Sequence, residues 1–192
     1  FENQTRRDLV LKYRKGGISS LVLAEWLCAC LFENNTQAVV ISHEKGATRK
    51  LLERVYYYID NLAIKPKMSR ESADEMKFPQ TNSSFYIGTA GSRAFGRGSD
   101  ITHLHISEFD FWEHAEMLTG VLEACINDSW VVIETTANGF NSEFHKLWQR
   151  AKAGKSEFNP LFFGWSMANK CKMAIVDKDY KLTIEEINLK KA

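Results

Sequence analysis

Short apolar runs alternate with helical stretches along most of this chain, and that alternation limits the folds open to it. The apolar runs predict strands at 8–13, 38–42, near 76–78, 84–88, 102–106, 130–134 and 160–165. Helices are predicted at 19–32, 48–62, 113–126 and 141–153, with a charged tail at 184–192. This order favours an α/β fold with a mainly parallel sheet. Sites in such sheets lie at the carboxyl ends of strands, where we look for chemistry.

Composition and charge exclude several classes of protein. The 192 residues fit a single domain, and 44% apolar with 26% charged residues is an ordinary globular balance. A net charge of +1 gives no overall field toward nucleic acid or membrane, so nucleic-acid contact needs a local patch. The longest apolar run, at 21–32, is too short to span a bilayer, and the polar start lacks a signal-peptide core. No membrane association is expected.

The four cysteines and the chain start carry two further expectations. Cys28, Cys30, Cys125 and Cys171 match no zinc spacing, and two lie in a strongly apolar helical stretch. Buried reduced thiols in a cytosolic protein are therefore expected. The chain begins without Met and reaches a strand almost at once, which suggests a piece of a longer protein.

A phosphate-loop pattern follows the first predicted strand, in the run Lys12-Tyr13-Arg14-Lys15-Gly16-Gly17-Ile18-Ser19-Ser20. Such a loop needs glycines that let amides close around phosphates, a helix start facing the anion, and a hydroxyl for Mg²⁺. Ile18 stands where the usual lysine would be, but Lys12, Arg14 or Lys15 could reach the phosphates instead. The alternative is a glycine turn with a serine cap that only joins a strand to a helix.

Ser107-Glu108 ends the run Thr102-His103-Leu104-His105-Ile106. A carboxylate at this place can orient and polarise the water that attacks ATP. Leu104 and Ile106 are predicted on one sheet face, and the two histidines on the other. The histidines have metal-ligand spacing, but no third ligand stands at a telling distance, so packed or water-facing histidines are favoured over zinc. Three aromatic residues follow Glu108, namely Phe109, Phe111 and Trp112. A solvent-exposed loop would not need them.

A glycine- and arginine-rich loop at 91–100 precedes that strand and carries Arg97 between two glycines. A mobile cation of this kind could stabilise phosphoryl-transfer charge in its own or a neighbour's site. The alternatives are a basic surface loop or a contact to DNA phosphate.

Together these motifs resemble the ATPase domain of a phage or prophage terminase large subunit, over about 8–165. Lys12, Arg14, Gly17 and Ser19 look like a deviant Walker A motif whose lysine stands first. The segment 96–108 is similar to the approach to Walker B, with Ser-Glu where Asp-Glu is common, and 134–139 looks like the coupling motif. The resemblance implies a P-loop NTPase fold of the ASCE type, with helices on both faces of the sheet.

Roles for individual residues follow from this resemblance. Residues 12–20 would bind nucleotide, with Gly16, Gly17 and the following amides around the phosphates and Lys12 or Arg14 replacing the missing lysine. Glu108 would be the catalytic carboxylate and Arg97 an arginine finger, acting within its own subunit or on a neighbour in a ring. Mg²⁺ would be bound by Ser19, Ser107 and Glu108. Its binding would be weak, because Ser107 carries no charge. Thr135 and Thr136 would sense the γ-phosphate.

The resemblance also implies partners and limits. It predicts a Mg-dependent ATPase that drives double-stranded DNA into a procapsid, in the host cytoplasm, with portal protein, terminase small subunit and a ring expected to be a pentamer. We expect residues 1–192 to be a single ATPase domain, slow in isolation, with a truncated adenine-contacting segment and no nuclease domain. The alternatives are a nucleotide-binding or scaffolding module that contacts DNA or portal protein, or a helicase-type motor.

Overall fold

The computed structural model describes residues 6–71, 74–91, 100–168 and 179–191. Eight strands are present in this part: β1 Arg7–Lys12, β2 Gln37–Ser42, β3 Arg70–Glu71, β4 Glu75–Phe78, β5 Ser83–Thr89, β6 Ile101–Ser107, β7 Cys125–Thr135 and β8 Asn159–Phe163. The helices are α1 Ile18–Phe32, α2 Lys45–Asp60, α3 Met117–Glu123, α4 Glu143–Lys152 and α5 Ile184–Lys191, with 3₁₀ turns at Phe109–Phe111 and Trp165–Met167.

All eight strands belong to one sheet, in the order β3-β4-β5-β2-β6-β7-β1-β8. Strands β5, β2, β6, β7, β1 and β8 pair in parallel, whereas β3 and β4 are antiparallel additions at one edge. β7 therefore stands between β1, which leads into the glycine loop, and β6, which leads into Glu108. The predicted α/β fold with a mainly parallel sheet is confirmed.

Helices cover both faces of the sheet. Successive side chains of a strand point to opposite faces, and so each strand contributes to a core on either side. On one face, Val10 of β1 belongs to a core with Leu23 and Trp26 of α1 and with residues of α2. On the other face, Leu9 belongs to a core with Phe144 of α4 and with residues of α3. Because both faces of the central strands are buried, most of their side chains are apolar. A charged residue in these strands is therefore unusual.

One predicted helix is largely wrong. The pattern at 113–126 predicts a long helix, but only Met117–Glu123 is α-helical, and β7 already begins at Cys125. The amide of Ile101 donates to the carbonyl of Ala124 at 2.9 Å, and Cys125 pairs with Ile101. This long-range strand pairing outweighs the local helical periodicity.

Smaller differences concern the cysteines and the sheet edge. Cys30 is buried as predicted, but Cys28 is exposed and Cys125 is only half-buried. Cys171 lies outside the described residues. The two-residue strand β3 has no counterpart in the sequence prediction, whereas β4 matches the expected short strand. Helix α5 lies in the charged tail, for which the sequence left a helical and a frayed form open. Among the helices of the described part, none combines the length and apolar character needed to cross a bilayer.

Candidate functional site

The predicted phosphate loop joins β1 to α1 at the carboxyl end of the sheet. Helix α1 begins at Ile18, and its N-cap residue Gly17 has a φ of 86°, in the left-handed region. Glycine takes this conformation without strain, and no side chain caps the start of α1. The first amides of a helix lack partners within the helix and can bind an anion. The side chain of Ile18 is partly buried and packs against the core that includes Leu23 and Trp26 of α1.

We expect Gly17→Ala to weaken nucleotide binding as well as the fold. A Cβ at Gly17 would meet nothing within 4 Å, so the change acts through backbone strain alone, worth about 1–2 kcal/mol. Gly154 is a matched control, since its φ is 66° and its Cβ would also meet nothing within 4 Å, but it follows α4 at the opposite end of the sheet. Gly154→Ala should lose similar stability in denaturant and keep nucleotide affinity. Equal affinity losses in the two variants would contradict the prediction.

Lys12 is the upstream cation that lies inside the site. It is the last residue of β1 and is only 7% exposed. Its Nζ lies 2.8 Å from Glu108 Oε1 and 2.9 Å from Glu134 Oε2. Burial disfavours its charge, but the two carboxylates outweigh burial and raise the pKa of Lys12 above its usual value. Lys12 is therefore charged at neutral pH.

The other two candidate cations lie at the surface. Arg14 and Lys15 are both exposed. The Arg14 guanidinium carbon lies 5.9 Å from the centroid of the Phe111 ring, which is a cation–π distance. The structure therefore separates one buried cation, between two carboxylates, from two at the rim of the loop.

Glu108 follows β6 in a strained conformation. Its φ of 51° and ψ of 48° are left-handed, which is uncommon for a residue with a Cβ. The side chain is 25% exposed. Its Oε2 accepts hydrogen bonds from the amide and hydroxyl of Thr136, at 3.1 and 3.2 Å, while Oε1 meets Lys12. Three donors thus hold the carboxylate in place at the edge of the solvent, and strain of this kind is typical of functional positions.

Glu134 is the most buried charged group of the site. It lies in β7 with no exposed surface. Its Oε1 accepts from Ser19 Oγ at 2.8 Å and from Ser107 Oγ at 2.9 Å, and His105 Nε2 lies 3.3 Å away. Burial would raise its pKa, but His105 and Lys12 outweigh burial and lower the pKa to about 2. Glu134 is therefore an ionised carboxylate in the middle of the site.

The two threonines after Glu134 connect β7 to the segment after β6. Thr135 is fully buried, and its hydroxyl accepts from the Asp110 amide at 3.2 Å and donates to the Thr136 carbonyl at 3.0 Å. The Asn138 amide donates to Asp110 Oδ2 at 3.0 Å. A shift of the loop after β7 would therefore move Glu108 and Asp110 together.

The structure brings most of the predicted site residues together at the carboxyl ends of β1, β6 and β7. The residues that share the hydrogen-bond network are Lys12, Ser19, Ser107, Glu108, Thr135 and Thr136. Arg97 lies outside the described residues. Ser20 is half-buried in α1, where its carbonyl accepts from Tyr58, and the Tyr13 amide donates to the Phe163 carbonyl. These two residues hold the flanks of the loop.

The segments around Glu108 are more buried than a surface loop. Phe109 and Trp112 are buried, and the Trp112 indole donates to the Ser107 carbonyl at 3.2 Å. His103 packs edge-on against Trp26, with ring centroids 5.0 Å apart. As predicted, Leu104 and Ile106 lie on the opposite face, in the other core.

Sequence reasoning counted Glu134 only as the first residue of the coupling motif, weighed His105 only as a disfavoured zinc ligand, and gave Asp110 no role. A sign of Glu134 is present in the sequence, because it ends the apolar run Trp130-Val131-Val132-Ile133. A carboxylate at the end of such a strand is rarely buried without a partner. The sequence does not show which strand neighbours β7, and so the partners stay hidden.

The donor set suits a hard cation bound together with a phosphate. In the described ranges, no three His, Cys, Asp or Glu side chains group closely enough to hold a metal by themselves. Mg²⁺ in nucleotide sites takes only one or two protein ligands besides phosphates and water. Ser19 and Ser107 donate to Glu134, and Lys12 contacts both Glu134 and Glu108. Two hydroxyls and two carboxylates thus share one network, and these oxygen donors fit such a metal.

Known proteins resemble this chain in structure and not in sequence. No protein-family model matches the chain, and no curated protein of similar sequence was found. The ATPase domain of Thermus phage P74-26 large terminase aligns with a TM-score of 0.68 and 14% identity, covering 84% of this chain and 76% of that one.

Two longer phage proteins align as well. The large terminase of bacteriophage HK97 gives a TM-score of 0.64 at 13% identity, over 92% of this chain and 37% of that one. The large terminase of a thermophilic bacteriophage, in complex with ADP, gives 0.64 at 12% identity, over 86% of this chain and 43% of that one. This chain thus spans about two fifths of those proteins, and it shares its fold with the part of each that it covers.

Proposed function

We propose that this chain is the ATP-hydrolysing motor domain of a phage large terminase, which drives double-stranded DNA into a procapsid. The single observation that carries the proposal is the buried ion pair of Lys12 with Glu108 and Glu134, at the carboxyl ends of β1, β6 and β7. A buried lysine between two carboxylates is costly to assemble. The ion pair lies beside the predicted phosphate loop, on the fold of terminase ATPase domains, and a catalytic role would explain why this cost is met.

Phosphate binding is the first step that these residues would perform. The amides after Gly16 and Gly17 and the positive end of α1 would surround the phosphates. Lys12 would then exchange part of its contact with the two carboxylates for a phosphate oxygen. Bound Mg²⁺ would neutralise charge on the phosphates, and Ser19 would contribute its hydroxyl oxygen.

Glu108 would act next, on the attacking water. Thr136 holds one of its oxygens, so the other is left to accept a hydrogen bond from water once Lys12 has moved toward phosphate. A carboxylate in that position orients and polarises the water for in-line attack. Loss of the γ-phosphate would be sensed through Thr136 and Thr135, since they also hold the segment after β6. Arg97 is proposed as the arginine finger.

The partners follow from the proposed motor role. We propose double-stranded DNA, a portal protein, a terminase small subunit and other copies of this chain in a ring, in the cytoplasm of the host cell. Support comes from the fold, which this chain shares with phage large terminases. The near-neutral charge, +1 over 192 residues, means that DNA contact would depend on a local basic patch.

The proposal is tested by thermal melting with Mg-ATP and by phosphate release. At about 100 times Kd, a ligand stabilises the native state by about 2.7 kcal/mol. For a domain of this size that raises Tm by about 5–10 °C. Mg²⁺ alone is the control and should give a smaller shift. No shift at millimolar Mg-ATP would favour the scaffolding module, and strand separation would favour a helicase-type motor.

A further inference from the structure

Glu134 occupies a position where it can supply a charge that the neighbouring strand lacks. The common Walker B pattern has a carboxylate where this chain has Ser107. In the pairing of β6 with β7, Ser107 is the register partner of Glu134. Register partners on adjacent strands project to the same side of a sheet. The missing carboxylate therefore has a counterpart at the same height, one strand away.

The contacts of Glu134 direct that charge toward the phosphate loop. Ser19, at the start of α1, donates its hydroxyl to Glu134 Oε1 at 2.8 Å, and Ser107 donates to the same atom at 2.9 Å. A carboxylate one hydrogen bond from the hydroxyl proposed to meet Mg²⁺ can bind the metal directly or through a water. Adjacent strands lie about 4.8 Å apart, and the glutamate side chain is one methylene longer than aspartate, which extends its reach from β7.

We propose that Glu134 is the metal-binding carboxylate of this site, in place of the residue that Ser107 replaces. The inference rests on the proposed nucleotide-binding function. Lys12 neutralises Glu134 when no nucleotide is bound. When Lys12 turns to phosphate, the buried charge of Glu134 is left for a divalent cation to balance, and Glu108 remains for the water. The weak metal binding expected from Ser107 alone is therefore not expected of this site.

The competing explanation is that Glu134 serves only as a counter-ion that keeps Lys12 charged. The two roles differ in one measurable quantity, the affinity for metal in the presence of nucleotide. Mn²⁺ takes the same oxygen ligands as Mg²⁺ and is detected directly by EPR. The experiment measures free and bound Mn²⁺ during titration of the protein saturated with a non-hydrolysable ATP analogue, which needs no turnover.

Glu134→Gln should raise the Kd for Mn²⁺ by about 10- to 100-fold. The double variant Ser107→Asp/Glu134→Gln should recover most of that loss, because it returns the charge on the neighbouring strand. Glu116→Gln is the control, since Glu116 is an exposed carboxylate outside the site, and it should leave the Kd unchanged. If Glu134→Gln does not fold, Glu134→Asp keeps the charge beside Lys12 but withdraws it, and should also weaken Mn²⁺ binding.

Each remaining outcome overturns the inference in a distinguishable way. If the wild type binds the analogue and Mn²⁺, and the Glu134 variants bind Mn²⁺ equally well, Glu134 is only a counter-ion and the nucleotide function stands. If Ser107→Asp does not recover Mn²⁺ affinity in a folded double variant, the charge is not exchangeable between the strands. Glu134 then does not take the place of the residue that Ser107 replaces. If the wild type binds no analogue with or without metal, the proposed function fails as well.

Discussion

Glu108→Gln should reduce ATP turnover by about 10²- to 10⁴-fold while leaving nucleotide affinity little changed. Glutamine has the same size, and its carbonyl oxygen can still accept from the amide and hydroxyl of Thr136. It cannot accept the proton of, or polarise, an attacking water as a carboxylate does. The change therefore removes an interaction made in the transition state and keeps the hydrogen bonds from Thr136. It also removes the ion pair with Lys12, but Lys12 would give up part of that contact on binding phosphate in any case. Steady-state phosphate release and analogue binding measure the two effects.

The control for this prediction is Glu116→Gln, which makes the same chemical change at a carboxylate that is 76% exposed. Its turnover should equal that of the wild type. Turnover of Glu108→Gln near the wild-type rate would remove Glu108 from the catalytic role. A parallel loss of affinity and turnover would instead point to a change in the arrangement of Lys12.

Lys12→Met should have the largest effect on both stability and binding. Methionine nearly fills the space of the lysine stem, but it leaves Glu134, which has no exposed surface, without its cation. Breaking one partner out of a buried ion pair costs about 3–5 kcal/mol. Loss of a charged hydrogen bond to phosphate, worth about 1.5–3 kcal/mol, should lower ATP affinity by about 10- to 100-fold. Denaturant unfolding and analogue titration measure the two losses.

Two comparisons identify the cause of these losses. Lys15→Met removes a cation from the exposed part of the loop and should cost much less stability. The double variant Lys12→Met/Glu134→Gln removes both charges and should be more stable than the sum of the single losses implies, by about 0.5–3 kcal/mol of coupling. Additive losses would mean that Lys12 and Glu134 do not depend on each other. Equal losses of ATP affinity in Lys12→Met and Lys15→Met would mean that Lys12 does not contact phosphate in preference to Lys15.

The parts of the site that were predictable are those that depend on neighbouring residues in the chain. The glycine loop before α1 and Glu108 just past β6 follow from turn chemistry and from strands that end where apolar alternation ends. The burial that distinguishes Lys12 from Arg14 and Lys15 did not follow, because it depends on strands that are distant in the chain. The helix predicted at 113–126 was wrong for a similar reason, since pairing with Ile101 draws Cys125 into β7.

Sequence alone determined that this chain alternates strands and helices, and that the candidate site residues stand at strand ends. Only the tertiary structure decided that β7 lies between β1 and β6. That strand order places Glu134 beside Ser107 and within 2.8 Å of Ser19, which is 115 residues away in the chain. The physical reason is that strand order is set by the packing of whole elements, whereas periodicity and turns are set by near neighbours.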